Sequence, residues 1–216
     1  MKDQLIKLLS DSPIGLRSGV FPELAAESLI LYLKEWKRWN AKINLTAECH
    51  ELSVVDKHIY ESLQYSQAIS PTGLLLDIGS GAGFPGIPIK IVRPSLEVVL
   101  IESQRKRANF LKSVIRSIGL SGIRCIHKRA EDFSEFQRAY DFVTLRHVLE
   151  PTKSLQLGGR FLKSGGILVL QTSCNDSFIF TPNFLNSYCF ALVDEIFFQR
   201  SSSTHSKIVV LKRNLI

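Results

Sequence analysis

LLLDIGSGAGFPG, from Leu74 to Gly86, decides how the rest of the chain is read. An apolar run ends in an acid, Asp77, and opens at once onto Gly79, Gly81 and Gly83. That order is expected where a buried parallel strand turns sharply into a ligand-binding loop and then a helix. Glycines there can take positive φ, and without a Cβ they let a ligand lie against bare backbone. Pro85 fits the first turn of the following helix, whose early N–H groups have no helical partner to lose. A second apolar strand, Val98 to Ile101, ends in Glu102. A carboxylate at the tip of the neighbouring strand suits a bidentate grip on ribose hydroxyls.

Outward from this stretch, strands are expected near 74–79, 97–102, 123–127, 140–145 and 166–171, with helices near 86–93, 105–118, 131–137 and 149–163. Such alternation implies parallel strands with right-handed crossovers. The helix at 105–118 is the best defined: Ala108, Leu111, Val114, Ile115 and Ile118 form an apolar stripe, and Gly119 suits its C-terminal stop. Residues 1–72 read as a helical extension, with one helix from Glu23 to Asn40 and another from about Ser53 to Ser66. Residues 73–216 read as the sheet-bearing domain. Near the end of the chain, Phe190–Phe198 and Lys207–Lys212 flank RSSSTHS and fit an antiparallel hairpin at the edge of the sheet.

Composition narrows the class. At 216 residues, 45% hydrophobic and 22% charged, the chain suits one α/β domain with an appendage, and no apolar run approaches the roughly 20 residues of a membrane span. The opening MKDQLIKLLSDSP has neither an apolar secretory core nor a small-residue cleavage site, so a cytoplasmic protein is expected. Cys49, Cys125, Cys174 and Cys189 are scattered, against both zinc ligation and a disulfide framework. The net charge of +7 is unevenly distributed. Ser103 to Arg129 holds eight basic residues, Arg105, Lys106 and Arg107 among them, and no acid. One-signed clustering of this kind attracts phosphates and gives affinity that falls with salt.

A dinucleotide fingerprint G-x-G-x-x-G counted from Gly79 puts Phe84 where the third glycine belongs; counted from Gly81 it encloses Pro85 and leaves Asp77 unexplained. The form D-x-G-x-G-x-G instead resembles motif I of the S-adenosylmethionine-dependent methyltransferases. Further segments resemble one family in particular, the bacterial small-subunit ribosomal RNA guanine-N7 methyltransferases, also called glucose-inhibited division protein B. They are WNAKINLTA (Trp39–Ala47), HIYESL (His58–Leu63), the FPGIP ending of the loop (Phe84–Pro88), RKRANFLKSV (Arg105–Val114), HKRAEDF (His127–Phe133), and Thr144, Leu145 and Arg146 at the end of the fourth strand.

The resemblance implies a Rossmann-like class I S-adenosylmethionine-dependent methyltransferase with a seven-stranded, mostly parallel sheet and an N-terminal helical extension. It implies S-adenosyl-L-methionine as methyl donor and N7 of a guanine in 16S ribosomal RNA of the small subunit as acceptor. Another RNA, a protein or a small molecule is the alternative acceptor. The donor pocket would comprise Gly79 and Phe84, Ala130 and Glu131 beside the adenine, and Arg146, joined by Asp77, Gly81 and Glu102 from the residue reading. Arg105, Lys106 and Arg107 would meet the RNA. A monomer is expected. No general base is expected, because guanine N7 has an in-plane lone pair and no proton, which leaves positioning as the chief contribution. No metal is expected either, since His50, His127, His147 and His205 show no ligand spacing.

Three further residues invite alternatives. Cys174 in QTSCND is the only cysteine placed to act as a nucleophile, and it lacks the neighbouring proline such a role would favour. His58 reads as a structural helix residue, because no matched acid is evident beside it. Trp36 and Trp39 read as core rather than as a base-stacking platform.

Overall fold

The computed structural model describes residues 1–10, 20–146, 150–173, 180–199 and 205–214. Its centre is β1 (Gly73–Ile78), whose apolar run is buried on both sides: Leu75 joins one hydrophobic cluster and Leu76 the other. Burial on both faces is why the strand reads as continuously apolar rather than alternating. β2 (Leu96–Glu102), β3 (Ile123–His127), β4 (Tyr140–Leu145) and β5 (Leu162–Ser173) extend the sheet in parallel, and the long β6 (Phe190–Gln199) and β7 (His205–Arg213) close it. The order is β3-β2-β1-β4-β5-β7-β6, with β7 antiparallel to both of its neighbours. The expected hairpin is therefore present, but its second strand lies inside the sheet and β6 forms the edge.

Helices cover both faces. On one lie α1 (Lys2–Ser10), α2 (Pro22–Ile43), α3 (Glu51–Val54) running through a π-helical turn at Val55–Ile59 into α4 (Tyr60–Tyr65), α5 (Gly86–Val92) and α6 (Arg105–Ile118). Leu29, Tyr32, Trp36, Leu63, Ile87 and Leu111 from these elements share one cluster with Leu75 and Leu100 of the sheet. The amino-terminal helices are thus built on the same core as the crossover helices. α7 (Pro151–Phe161) and α8 (Pro182–Ser187) cover the opposite face through Leu155, Phe161 and Leu185. Trp36 is buried and donates from Nε1 to Thr46 Oγ1 at 3.2 Å, while Trp39 packs edge-on to Phe110, so both serve the core.

Two expectations change, and one helix is new. No helix forms over 131–137: the segment is a series of turns, with Phe136 and Arg138 in the left-handed region at φ 59° and 54°. Only Phe133 and Phe136 in that stretch are apolar, too few for a helical stripe, and nucleating so short a helix is unfavourable. The chain instead ties itself to the end of α7 through Arg138 and Ala139 N–H donation to the carbonyls of Arg160 and Phe161. Pro85 stands one residue before the first helical position of α5, as its N-cap, behind a cis Phe84–Pro85 bond. α8 has no counterpart in the sequence reading; Thr181 caps it by accepting from Phe184 N–H, with Pro182 at its first position.

Candidate functional site

The loop from Gly79 to Phe84 emerges at the carboxyl ends of the strands, between β2 and β4, where the strand order reverses and open parallel sheets hold ligands. Its three glycines all have positive φ, 71° at Gly79, 54° at Gly81 and 94° at Gly83, but for different reasons. A Cβ on Gly83 would meet Ile87 Cδ1 at 2.6 Å, so that residue is needed for packing. A Cβ on Gly81 would meet nothing closer than Gly79 O at 3.7 Å. Gly81 therefore presents bare backbone to open space, as a ligand cradle requires.

That space is a cavity of about 470 Å³, walled by Gly79, Ser80, Gly81 and Phe84 from the loop, Glu102, Ser103 and Gln104 from the β2–α6 turn, Arg107 from α6, and Arg146. Leu45, Thr46, Ala47 and Glu48 from the segment after α2, with His58 from the π-helical turn, complete it. A second cavity of about 220 Å³ shares Gly79 and Ser103 with the first and is walled by Ile78, Ile101, Lys128, Arg129, Ala130, Glu131 and Leu157. The sequence reading thus named residues that do converge: Gly79, Gly81, Phe84, Glu102 and Arg146 on the larger cavity, Ala130 and Glu131 on the smaller. Arg105 and Lys106 lie exposed on the first turn of α6, and Arg107 reaches the cavity wall. Cys174, His147 and the neighbours of Cys174 up to Ile179 lie outside the described residues. The described cysteines, Cys49, Cys125 and Cys189, are free thiols, and burial pushes Cys125 up to about 12, which makes it inert.

Asp77 needs correction, because it lines neither cavity. Side chains alternate along a strand, so Asp77 follows Leu75 toward α5 instead of pointing out of the sheet. Its carboxylate accepts from Thr144 Oγ1 at 2.8 Å, its register partner on β4, and from Gly86 N at 3.3 Å. It anchors the loop from beneath. Burial raises its carboxyl to about 6, against the opposing hydrogen bonds from Thr144, Ser80 and Gly86. The native state therefore holds a proton between the ordinary 3.8 and about 6 that the unfolded chain has released, so stability falls as pH rises through that window. The drop corresponds to about 3 kcal/mol by linkage. Asp77→Asn keeps an acceptor for Thr144 and removes the titration. Its melting temperature is expected to gain on the parent protein between pH 4 and 6, and parallel melting curves across that range would refute the assignment.

Glu102 is buried and spans the turn: Oε2 accepts from Gly81 N at 2.9 Å and Oε1 from Gln104 N at 2.7 Å. The two bonds hold the carboxylate rigidly at the cavity wall and leave each oxygen a second lone pair. Phe84 is clamped between helices, edge-on to Tyr32 and stacked on His58 at 5.0 Å between ring centroids. Tyr32 in turn donates its hydroxyl to the Ala82 carbonyl, so α2 pins the glycine loop directly.

A chain of polar groups that the sequence reading missed crosses the back of the cavity. Arg146 donates through Nε at 3.0 Å and through Nη2 to Glu61, which also accepts from Gln171. Arg146 Nη2 further meets His58 Nδ1 at 2.8 Å, and His58 Nε2 meets Glu48 Oε2 at 2.6 Å. Since a guanidinium only donates, Nδ1 must carry the lone pair and Nε2 the proton. Burial, helped by the Arg146 charge, holds His58 below its usual value despite the two nearby carboxylates. Burial alone would raise Glu48, yet the hydrogen bond from His58 and its attraction when charged, with its own backbone N–H and Lys57, outweigh it and bring the carboxyl to about 2. The Arg146 donor at Nδ1 and the lowered His58 assign the resting arrangement: a neutral imidazole donating to an ionised carboxylate. His58 does have a matched acid, contrary to the sequence reading. That acid lies ten residues away across a loop, and only Glu61, three residues along the same helix, was a visible hint.

The strand order, the lone antiparallel strand and a glycine loop opening onto paired cavities at the switch point define a Rossmann-like class I methyltransferase fold. Solved structures with the same fold include the SAM dependent methyltransferase from Aquifex aeolicus (TM-score 0.56, 16% identity, 74% of this chain and 92% of that one). Another is M. jannaschii TYW2 in complex with AdoMet (TM-score 0.56, 18% identity, 72% and 74%). Residues 25–175 match the model of the GidB family, described as rRNA small subunit methyltransferase G, and the chain belongs to that family. Curated relatives called Ribosomal RNA small subunit methyltransferase G include one from Geobacter sp. (strain M21), 40% identical over 144 residues, 66% of each chain. One from Streptococcus pneumoniae serotype 19F is 42% identical over 150 residues, 67% of this chain and 63% of that one. The chain spans just under two thirds of the length of these relatives.

Proposed function

We propose that this protein transfers a methyl group from S-adenosyl-L-methionine to N7 of a guanine in 16S ribosomal RNA, acting in the cytoplasm as a monomer on the small ribosomal subunit. The observation that carries the reading is the position of α6. The most basic helix of a GidB-family chain begins at the rim of the glycine-loop cavity, so phosphates drawn to Arg105 and Lys106 bring a nucleotide to the donor.

The residues fit the donor. The open face of Gly81 suits its amino-acid end, the remaining lone pairs of Glu102 suit the ribose hydroxyls, and the apolar walls Ile78, Ile101 and Leu157 beside Ala130 suit adenine. Bound there, S-adenosyl-L-methionine supplies a methyl group activated by its sulfonium. The lone pair of guanine N7 forms the new N–C bond as the S–C bond breaks, and its electron pair neutralises the sulfur while the base takes up the positive charge. No proton moves at N7, so the chain's task is alignment, worth several kcal/mol of barrier. Arg146, fixed by Glu61 and His58, and Phe84, fixed by Tyr32 and His58, give the cavity wall the rigidity alignment demands. Among the described residues no helix is long and apolar enough to cross a membrane.

The test uses small subunits and 16S RNA from cells lacking this protein, with a labelled methyl donor. Label is expected on guanine N7, and label on another atom or on protein would point to a different acceptor. Arg105→Glu with Lys106→Glu is expected to lower the rate on RNA at least about tenfold at low salt and to make its salt dependence shallower by about two phosphate contacts. Donor affinity should be unchanged, since neither residue lines the cavity. A rate indifferent to both salt and charge reversal would remove the RNA from the reading.

A further inference from the structure

Methyl transfer to N7 has no use for an acid or base, yet the larger cavity has an ionised carboxylate on its wall at Glu48, a residue that does not line the smaller cavity. We propose that Glu48 reads the acceptor: its carboxylate accepts from the N1–H and the N2 amino group of guanine, and so turns N7 toward the donor. The inference rests on the function proposed above and adds the residue that selects the base.

Elimination and geometry carry it. Four acids lie in or directly behind the larger cavity among the described residues. Asp77 is beneath the loop on Thr144; Glu61 is fully buried on Arg146 and Gln171; and Glu102 is bonded to two backbone N–H groups, with its remaining lone pairs already assigned to the donor ribose under the function proposed above. Glu48 remains. Its Oε2 accepts from His58 at 2.6 Å and its Oε1 accepts a long hydrogen bond, 3.4 Å, from the exposed Lys57, which leaves each oxygen a second lone pair. The carbonyl of Glu48 accepts from Asn40 Nδ2 at 3.0 Å, which anchors its backbone. The result is a carboxylate held at the cavity wall with a lone pair on each oxygen left for a ligand. The smaller cavity and the larger meet at Gly79 and Ser103, and Glu48 belongs to the larger alone.

Base chemistry supplies the match. When N7 faces the donor, the opposite edge of guanine presents two adjacent donors, N1–H and N2–H. No other standard base has that pair side by side, and a carboxylate accepts it in a fork. As N7 takes up the methyl group, the ring becomes cationic and N1–H a stronger donor, so the contact tightens toward the transition state. A guanine read on this edge must be unpaired, in keeping with recognition of RNA loops.

The experiment places inosine, which keeps N1–H but lacks the N2 amino group, at the methylated position of an otherwise natural RNA. The unaltered protein is expected to methylate inosine with kcat/KM lowered by tenfold or more. Glu48→Gln is expected to lower kcat/KM on guanosine to a similar level or below and to treat the two bases within about twofold, with donor affinity by calorimetry unchanged. Equal rates on guanosine and inosine by the unaltered protein would overturn the proposal, and that arm needs no variant to fold. So would full discrimination retained by Glu48→Gln, or loss of donor binding in it, which would assign Glu48 to the donor instead. Failure of the unaltered protein to methylate natural RNA would instead overturn the function on which the inference rests.

Discussion

Gly81→Val is expected to abolish donor binding while leaving the protein folded, lowering affinity by at least a hundredfold in calorimetry. The space a Cβ would occupy at position 81 contains no protein atom nearer than 3.7 Å, so the branched side chain would project into the cavity and not into the core. Two costs add. The left-handed backbone at φ 54° disfavours a Cβ by about 1–2 kcal/mol, and a β-branched residue there is a marked outlier. Any shift that relieves the strain moves Gly81 N from Glu102 Oε2, which frees the carboxylate at the cavity wall as well. Gly81→Ala carries the backbone cost with little bulk and should fall between the variant and the parent protein. A cooperative melt with affinity for S-adenosyl-L-methionine retained within a few fold would mean that the donor does not lie against this loop.

Where the sequence was legible, one local signal decided the outcome. β1 and β2 read correctly because strands buried on both faces are continuously apolar, and α6 because its stripe and its stop at Gly119 agree. Gly79, Gly81, Phe84, Glu102 and Arg146 were legible as the lining of one cavity because strand tips converge in any open parallel sheet. Asp77 shows the limit of that logic: an acid at a strand end looks the same whether its side chain faces a ligand or the underside of a loop. Only pairing with Thr144 across the sheet separates the two. Glu48 and its bond to His58 were invisible for another reason. The two residues meet through the fold of a loop against a π-helical turn, and neither element has a periodic signature. The absent helix over 131–137 belongs with these, since the carbonyls that end α7 fix the backbone directly after that stretch, at Arg138 and Ala139.

Gly86→Ala is expected to be strongly destabilising for so small a substitution, although it creates no unusual backbone and improves helix propensity. Gly86 opens α5, and its α-carbon presses against β1 and β2. A Cβ there would stand 2.4 Å from Leu100 Cδ2, 2.8 Å from Asp77 Oδ2 and 3.2 Å from Asp77 Cβ. Leu100 is fully buried and has little room to turn, and Asp77 Cβ can move only with its strand. Overpacking of this kind costs about 1–3 kcal/mol, against which alanine returns up to about 1 kcal/mol as a better helix former. A further loss comes from Asp77, because pushing its carboxylate aside strains the hydrogen bond to Thr144 in a fully buried setting. The net destabilisation should be about 2–3 kcal/mol, a fall in melting temperature of roughly 5–10 °C for a chain of this size. Donor affinity should fall with it, because the same contact sets the height of α5 over the sheet and hence the position of Phe84 at the cavity wall. Gly81→Val should lose binding with the smaller change in melting temperature, and Gly86→Ala should lose stability with the smaller change in affinity. An unaltered melting temperature in Gly86→Ala would mean that α5 does not sit this close to the sheet, and the support beneath the donor loop would have to lie elsewhere.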